Sequence, residues 1–393
     1  MNIRDLLRSF ISIGRNIIFA PRMDILFYYP QHFNRSKKGT NPFYDSLLEV
    51  CDKYGITYHL LEEPDYGTDK PRNSRAIPGD FFYWMVIVLR HVVRLFSGNR
   101  DFYLNEKKVG FLMDLISFHR FRYRKVISIS GSMNELFLAI NPSGEVFEMQ
   151  HGVVFSGKDS FFESDGSLHP AYQSPNFHWL FWGKGYKDSV VAGKEKDFEG
   201  RVHVCGYPLV SLNNKTCNSL ESSGKILLFS LQFTADWNQQ MLENQKQLLL
   251  ETLGQLQYID GIKVVLKHHP RYNQVIDLSE IAERFDFVSY TDLSLQDLAP
   301  TVLLHVTFDS TTAFEYAQLG IPTYFMWNSI FLHSENIFYK DYRYPLYQAI
   351  SIVETINHLK KKDIILEDAQ IVQKWYKQYY SPFNEDVILR LLK

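Results

Sequence analysis

The sequence predicts an α/β protein of two doubly wound domains, each a parallel sheet covered by helices, that face each other across a cleft. Its 393 residues are more than one ordinary domain requires. In both halves, short segments rich in β-branched and aromatic residues alternate with helical or irregular segments. Between the halves, the stretch SLNNKTCNSLESSGK at 211–225 has the polar composition of a linker. We therefore expect a first domain at 1–215, a second at 216–370, and a C-terminal helix at 371–393 that packs back on the first.

The first half contains several segments with the composition of buried strands. Some of them are apolar throughout, as expected for strands covered on both faces of a parallel sheet. The predicted strands are 24–30, 56–61, 125–130, 145–150, 178–183 and 202–206.

The second half shows a more regular alternation of strands and helices, which is typical of βαβ units in a doubly wound sheet. The predicted strands are 225–232, 263–270, 285–290, 301–308 and 321–327. The predicted helices are 238–256, 294–299, 310–320, 367–380 and 384–393.

Composition is that of a globular protein, with 45% hydrophobic and 22% charged residues. The net charge of −2 produces no overall field that would recruit nucleic acid. The three cysteines, Cys51, Cys205 and Cys217, lack zinc-ligand spacing and leave one unpaired, which favours a reducing cytoplasm.

Two segments bear on membrane contact. The most apolar stretch, 81–89, is followed by Arg90, His91 and Arg94, so we expect a buried helix there and not a membrane span. Residues 1–22 combine apolar side chains at helical spacing with a net positive charge. Such a helix can lie at the inner face of the cytoplasmic membrane, and the alternative is a helix packed on its own domain.

The strand predicted at 263–270 ends in a candidate nucleotide-binding motif. Ligands of open parallel sheets bind at the carboxyl ends of the strands. His269 can donate a hydrogen bond to a phosphate oxygen there, Pro270 fixes the turn, and Arg271 adds positive potential. The alternative is a strand-end histidine bonded to a carbonyl.

The next predicted strand, 301–308, leads into a helix through Ser310 and Thr311. Either residue as N-cap leaves backbone N–H groups free for an anion, and both hydroxyls can bond the same phosphate. Glu315, one turn on, can reach ribose hydroxyls. The alternative is a capping box, a common pattern with no ligand.

In the first half, the segment FEMQHGVV at 147–154 ends a strand with polar residues. A neutral imidazole at His151 can accept the proton of an acceptor hydroxyl, and Gly152 lets a substrate approach the backbone. Glu148 lies two residues before Gln150, on the same strand face, and is the rival base. Gln150 and Gly152 are candidate contacts to an acceptor or donor sugar, and a structural histidine in a turn is the alternative.

Three further residues are candidate sugar contacts. Ser130 and Ser132 follow a predicted strand, where a helix cap explains them equally well. His169 belongs to a second His-Pro pair in a predicted loop, where a structural role is the alternative.

Taken together, residues 145–325 resemble GT-B glycosyltransferases, which consist of two Rossmann-like domains. More narrowly they resemble the bacterial HP-motif group of sialyltransferases, Kdo transferases and CDP-glycerol glycerophosphotransferases. The resemblance implies that His269, Ser310 and Thr311 hold the phosphate of a cytidine nucleotide, with Glu315 nearer the ribose. Glycerophosphotransferases carry an aromatic-His-Gly whose histidine is the proposed base, and Gln150 stands here in place of the aromatic residue.

The sequence therefore predicts a cytoplasmic, inverting glycosyltransferase of surface-polysaccharide synthesis, peripheral to the membrane if residues 1–22 bind it. Its partners would be a nucleotide-sugar donor, best a CMP-sugar, and a hydroxyl of a capsule, O-antigen or lipooligosaccharide glycan. We expect no metal or other cofactor, because no convincing DxD motif or ligand spacing is present. Two alternatives stay open: a CDP-polyol phosphotransferase with the same pocket, and a non-catalytic glycan- or nucleotide-binding module.

Overall fold

A computed structural model describes residues 2–68, 70–98, 101–129, 131, 133–154, 161–163, 165–209, 226–233, 238–268 and 275–393. The chain divides into two compact units, Met1–Val210 with Tyr380–Lys393, and Ser211–Tyr379. The segment at 371–393, predicted to pack back on the first domain, is divided between the two units. Its first part stays with the second unit, and only Tyr380–Lys393 returns to the first.

The described residues of the first unit build a seven-stranded parallel sheet in the order β3-β2-β1-β4-β5-β6-β7. The strands are β1 Ile25–Pro30, β2 Tyr58–Glu63, β3 Ile77–Pro78, β4 Lys125–Ile129, β5 Glu145–Met149, β6 Phe177–Phe181 and β7 Val202–Val204. The helices are α1 Ile3–Ile13, α2 Pro42–Tyr54, α3 Asp80–Ser97, α4 Phe102–Ile116, α5 Asn134–Ile140, α6 Lys184–Val191 and, at the C-terminus, α14 Glu385–Leu392.

The second unit has a five-stranded parallel sheet among its described residues, in the order β10-β9-β8-β11-β12. The strands are β8 Ile226–Leu231, β9 Val264–His268, β10 Val288–Tyr290, β11 Val302–Thr307 and β12 Thr323–Phe325. The helices are α7 Gln239–Leu256, α8 Leu278–Ala282, α9 Leu295–Leu298, α10 Thr312–Gln318, α11 Ile337–Lys340, α12 Ile352–Leu359 and α13 Lys362–Tyr379.

The prediction of two parallel-sheet α/β domains is confirmed. Every residue of the strands β1 and β8 is buried, which is why β1 reads as an apolar run and β8 as an apolar run interrupted by Ser230. Local signals set the helix ends: the side chain of Asn41 caps the N-terminus of α2, and Gly55 ends that helix in the left-handed conformation. The helix predicted at 310–320 is shorter than expected and begins at Thr312.

Each sheet contains a point where the direction of chain progression reverses. In the first unit the chain moves outward from β1 to β3 and then returns to place β4 on the other side of β1. In the second unit the same reversal occurs between β8 and β11. Crevices outside the carboxyl ends of strands at such points are the usual ligand sites of open α/β sheets.

The N-terminal segment packs on its own unit. The Ser9 hydroxyl donates to the Pro78 carbonyl at 2.6 Å and accepts from the backbone N–H of Phe81 at 2.9 Å. The expectation of a buried helix at 81–89 was wrong in part, because α3 buries one face and leaves large apolar side chains exposed on the other. Among the described helices, none alone has the length and apolar composition of a membrane span, whereas α3 and α4, which are bent by 119° relative to each other, reach that length and composition together.

Candidate functional site

In the first unit, the loop after β5 is fixed by the buried side chain of Gln150. Its amide nitrogen donates to the Gly152 carbonyl at 2.7 Å, and its amide oxygen accepts from the backbone N–H of Trp182 at 2.9 Å. Both ends of the amide are thus bonded to backbone, one end at the residue after His151 and the other at the residue after β6. Gln150 therefore positions the loop, and its contact to a sugar stays a prediction.

The ring of His151 stands exposed just beyond β5, with Phe33 packed edge-on at a ring-centre distance of 5.4 Å. The pKa of His151 is lower than its ordinary value of 6.5. The larger cause is the partial loss of hydration, and the smaller cause is repulsion from the nearby His32. Neutral imidazole is therefore the main form of His151 at neutral pH. An exposed neutral imidazole at the carboxyl edge of a sheet can accept a proton from a bound hydroxyl.

A second histidine, His32, occupies the equivalent position after β1. The buried Gln31 donates from its amide nitrogen to the Lys70 carbonyl at 2.7 Å, and its amide oxygen accepts from the backbone N–H of Asp65 at 3.4 Å. The His32 Nδ1 lies 2.7 Å from an Asp65 carboxylate oxygen. Sequence reasoning missed this residue, although the dipeptide Gln-His occurs where a predicted strand ends at both 31–32 and 150–151.

The rival base, Glu148, is buried inside a hydrogen-bonded network. Its carboxylate accepts from the Asn134 amide at 2.7 Å, and the Ser128 hydroxyl donates to the same asparagine at 2.6 Å. Gly131 lies over it: this glycine has φ +71°, and a Cβ there would be 3.2 Å from a Glu148 carboxylate oxygen. This geometry favours His151 over Glu148 as the group that meets a substrate.

A second buried carboxylate, Glu62, organises the loops around His32. One of its oxygens accepts from the Tyr29 hydroxyl at 3.1 Å, the Asn34 amide at 2.9 Å and the backbone N–H of Asn73 at 2.9 Å. Because these donors come from β1, from the loop after it and from the loop after β2, one carboxylate holds three segments together. The sequence contains no local signal for this network.

The remaining candidates of the first unit fare differently. A Cβ at Gly152 would meet no atom within 4 Å, so the protein itself does not require glycine there. His169 is buried, its ring centre lies 3.7 Å from that of Tyr103, and its Nε2 lies 3.4 Å from a Glu163 carboxylate oxygen. Its contact to a sugar stays a prediction. Ser130 and Ser132 lie outside the described residues.

In the second unit, the predicted residues Ser310, Thr311 and Glu315 lie together beyond the carboxyl end of β11. The buried Ser310 hydroxyl accepts from the backbone N–H of Thr312 at 3.3 Å, whereas Thr311 and Glu315 are exposed. The N-cap residue Thr311 makes no side-chain hydrogen bond to the first turn of α10, so a capping box between Thr311 and Glu315 has no hydrogen bond to support it. His269, Pro270 and Arg271 lie outside the described residues.

Two polar side chains at the carboxyl end of β8 were not predicted from the sequence as site residues. The Ser230 hydroxyl and the Gln232 amide oxygen are buried and have no hydrogen-bond partner among the described residues. They are two positions apart, a spacing that directs side chains of an extended strand to the same face. Thr307 on the adjoining β11 donates to the Ser230 carbonyl at 2.7 Å. Buried polar atoms normally have partners, so this end of β8 has unused capacity for a ligand.

The described residues contain no group of three or more His, Cys, Asp or Glu side chains arranged to hold a metal ion. Metal independence stays a prediction.

Comparison with known proteins begins with two negative results: no family model matches the chain, and no curated protein matches it. Solved structures do resemble it. The wall teichoic acid polymerase TagF has 14% identity and a TM-score of 0.49, over 99% of this chain and 95% of that chain. The UDP-GlcNAc 2-epimerase of Methanocaldococcus jannaschii has 12% identity and a TM-score of 0.49, over 94% and 98%. The UDP-GlcNAc 2-epimerase of Neisseria meningitidis, bound to UDP-GlcNAc, has 10% identity and a TM-score of 0.44, over 94% and 98%. Likeness at this level assigns neither an activity nor a ligand to the chain.

Proposed function

We propose that the chain is an inverting, metal-independent glycosyltransferase of the GT-B type that acts in surface-polysaccharide synthesis. An acceptor hydroxyl attacks the anomeric carbon of a nucleotide-activated sugar, and its proton passes to His151. The new carbon–oxygen bond forms as the bond from the anomeric carbon to the phosphate oxygen breaks. The nucleotide leaves with the electron pair of that bond.

The observation that carries this proposal is the presentation of His151. Its ring is exposed at the carboxyl edge of a parallel sheet, on a loop that Gln150 fixes through both ends of its amide. A lowered pKa keeps the imidazole neutral and ready to accept a proton near neutral pH. General-base help of this kind contributes on the order of 10²–10⁴-fold in rate.

The nucleotide belongs, in this proposal, to the second unit. Ser310 and Thr311 lie at the carboxyl end of β11, and the unpartnered oxygens of Ser230 and Gln232 lie at the end of the adjoining β8. By its resemblance to the HP-motif group, the chain would add His269 as a phosphate contact, with Glu315 nearer the ribose, and the charge of Arg271 would add positive potential. That resemblance also favours a CMP-activated donor.

The acceptor in this proposal is a hydroxyl of a growing capsule, O-antigen or lipooligosaccharide glycan, and the enzyme works in the cytoplasm with residues 1–22 against the membrane. A second candidate, transfer of a polyol phosphate from a CDP-polyol, is favoured by one specific feature. His151-Gly152 after a strand resembles the aromatic-His-Gly of the glycerophosphotransferases. That reaction attacks phosphorus, so its product is a phosphodiester.

The first experiment measures thermal stabilisation by CMP, CDP, UDP and GDP, with His269→Ala as the test variant and His268→Ala as the matched control. A nucleotide at about 100 times its Kd adds about 2.7 kcal/mol of stability. We expect CMP to stabilise the protein, and we expect His269→Ala alone to abolish this effect. Preference for CDP, together with a phosphodiester product seen by phosphorus NMR, would replace the glycosyltransferase with the polyol phosphotransferase. Stabilisation by none of the four would remove the proposal.

A further inference from the structure

Helix α3 carries an apolar stripe on its solvent side. Trp84, Val88, Val92 and Leu95 recur at a spacing of three or four residues, so they share one face of the helix. Leu95 is 80% exposed and the adjacent Phe96 is 86% exposed. The opposite face of α3 is buried against the unit through Phe82, Val86 and Val93. The helix is therefore apolar on both faces, and only one of them is covered.

The stripe continues onto α1 without a break. Ile3, Leu7 and Phe10 share an exposed face of α1 at the same spacing. The ring of Phe10 packs against Phe81 at 4.9 Å, and Phe81 stacks on Trp84 at 5.9 Å. Two helices far apart in sequence thus present one continuous apolar surface.

Helix α4 extends this surface on its other side. An open groove of about 550 Å³ runs between α3 and α4. It is lined by Val92, Val93, Phe96, Ser97, Lys107, Lys108, Phe111 and Leu112. Phe111 and Leu115 are exposed on α4. We call the exposed residues of α1, α3 and α4 the three-helix surface.

Within α3 and α4, the acidic side chains are buried and several basic side chains are exposed. The acids Asp80, Glu106 and Asp114 are buried, and each is paired with an arginine. Arg94, Lys107 and Lys108 are exposed instead. On α1, Arg4 and Arg8 lie beside the apolar stripe. Asp5 is rotated 100° from Arg4 around the helix axis, which places it on the side away from the stripe. The three-helix surface is therefore apolar with a positive border.

We propose that the three-helix surface docks on an anionic lipid bilayer. Apolar side chains with lysine and arginine at their border are the composition of interfacial helices, whose apolar faces enter the bilayer while the cations meet anionic headgroups. A second copy of the chain fits less well, because a two-fold interface would bring the same positive border against itself. This inference extends to α3 and α4 and does not require the proposed transferase activity.

The test is co-sedimentation of the full chain with vesicles of phosphatidylcholine alone and of phosphatidylcholine mixed with phosphatidylglycerol. We expect binding to the anionic vesicles that weakens with salt. The double variant Leu95→Ser/Phe96→Ser should lose most of this binding, because Leu95 and Phe96 are the most exposed apolar side chains of α3. Tyr258→Ser is the matched control, since Tyr258 is 84% exposed on the second unit. Lys107→Gln/Lys108→Gln should weaken partitioning by about fivefold per lysine.

Three outcomes would overturn the docking proposal. They are failure of the wild-type chain to bind anionic vesicles, equal binding by Leu95→Ser/Phe96→Ser, and a dimer in sedimentation analysis that this variant dissociates. Because the substituted side chains are exposed, the variants should melt at the wild-type temperature. Nucleotide stabilisation of the same variants reports on the transferase proposal separately.

A different observation carries a second inference. Gln31 and Gln150 fix their loops in the same way, each with both ends of its amide bonded to backbone. Each glutamine precedes a histidine at the carboxyl end of a strand. The centre of the Phe33 ring lies 4.5 Å from the centre of the His32 ring and 5.4 Å from that of the His151 ring. The first unit therefore holds two histidines around one aromatic ring.

We infer that His32 contacts the acceptor beside His151. Asp65 engages its Nδ1 at 2.7 Å, which fixes the ring and leaves Nε2 on the side away from that carboxylate. Through Nε2 the ring can hold the acceptor while His151 takes the proton. This inference rests on the proposed transferase function.

The test is steady-state kinetics of His32→Ala, His32→Gln and Asp65→Asn with the donor and acceptor varied separately. We expect an acceptor KM about tenfold higher in His32→Ala, from the loss of one hydrogen bond of about 1.5 kcal/mol. The donor KM should be unchanged, and His32→Gln should recover part of the loss. A wild-type enzyme that turns over, with an unchanged acceptor KM in His32→Ala, would overturn the inference alone. Absence of wild-type turnover with any donor would remove the transferase proposal and this inference with it.

Discussion

At the scale of single residues, the protonation of His151 makes a kinetic prediction. Lost hydration, and then His32, lower its pKa from 6.5, so the neutral base is present above that lowered pKa and is lost as the pH falls through it. We therefore expect the acid limb of kcat/KM to inflect below pH 6.5 and to disappear in His151→Ala. A pH profile of kcat/KM measures this. Loss of the limb in Glu148→Gln, with the limb retained in His151→Ala, would instead make Glu148 the base.

The support that Gln150 gives to His151 makes a second prediction. Gln150→Ala leaves the Trp182 N–H and the Gly152 carbonyl without their partner, which should cost about 1–3 kcal/mol of stability. Because the loop then loses its register, kcat should fall by as much as about 10²-fold.

Gln173→Ala is the matched control for Gln150→Ala. Gln173 also donates from its amide to a backbone carbonyl, that of Leu168, at 2.7 Å. Denaturant unfolding and kcat of the two variants give the comparison. Equal kcat in both would mean that Gln150 does not position the base.

Some residues of the candidate site could be predicted from the sequence and others could not, for physical reasons. His151 was visible because a polar dipeptide interrupts an apolar strand, and the repeated Gln-His could have revealed His32 as well. Ser230 and Gln232 carry a weaker signal, two polar residues at alternate positions of a buried strand. The Glu62 network was hidden, because its donors come from three segments that only the fold brings together.

At the scale of elements, strand prediction succeeded where burial on both faces produced apolar runs. It missed β3, since two residues are too few for any period to register. The burial of α3 was misjudged for a related reason. Residues 81–89 are apolar on both faces of the helix, and such a pattern does not tell whether one face or both are covered.

The contact between α4 and α5 depends on Gly110, which makes a third prediction. A Cβ at this position would clash with the Cβ of Ala139 and lie 3.0 Å from the Leu136 carbonyl oxygen. We expect Gly110→Ala to destabilise the first unit by about 1–3 kcal/mol, because α5 must move away.

Gly254 in α7 is the matched control for Gly110. It is also helical, but a Cβ there meets nothing within 4 Å, so Gly254→Ala should stabilise by about 0.5–1 kcal/mol. Denaturant unfolding distinguishes the two signs. Stabilisation by both substitutions would show that α4 and α5 do not approach this closely.

At the scale of the whole molecule, the chain builds the second unit and then returns to the first for its last residues. After α13 the segment Tyr380–Lys393 belongs to the first unit. The backbone N–H of Tyr207 donates to the Ser381 carbonyl at 2.8 Å, and that of Asn384 donates to the Cys205 carbonyl at 2.8 Å. The sequence predicted a returning helix but could not give its starting point, because α13 and α14 have similar amphipathic patterns.

This return predicts that the last residues of the chain stabilise the first unit and not the second. Ile388 and Leu392 of α14 are buried, so Ile388→Ala should cost about 2–5 kcal/mol. Gly206→Ala should act on the same junction, because Gly206 has φ +80° and a Cβ there would clash with the Pro382 carbonyl oxygen. Leu366→Ala, at an exposed position of α13, is the control and should change stability little.

Hydrogen exchange read by mass spectrometry assigns each loss to a unit. In Ile388→Ala and Gly206→Ala, we expect faster exchange in β6 and β7, because the returning segment bonds Trp182 and Cys205, the residues that directly follow these two strands. Exchange in β8 and β11 should stay at the wild-type rate, since these strands belong to the other core. Faster exchange in β8 and β11 of the Ile388→Ala variant would mean that the two sheets unfold as one cooperative unit, and the prediction that the last residues stabilise the first unit and not the second would then be wrong.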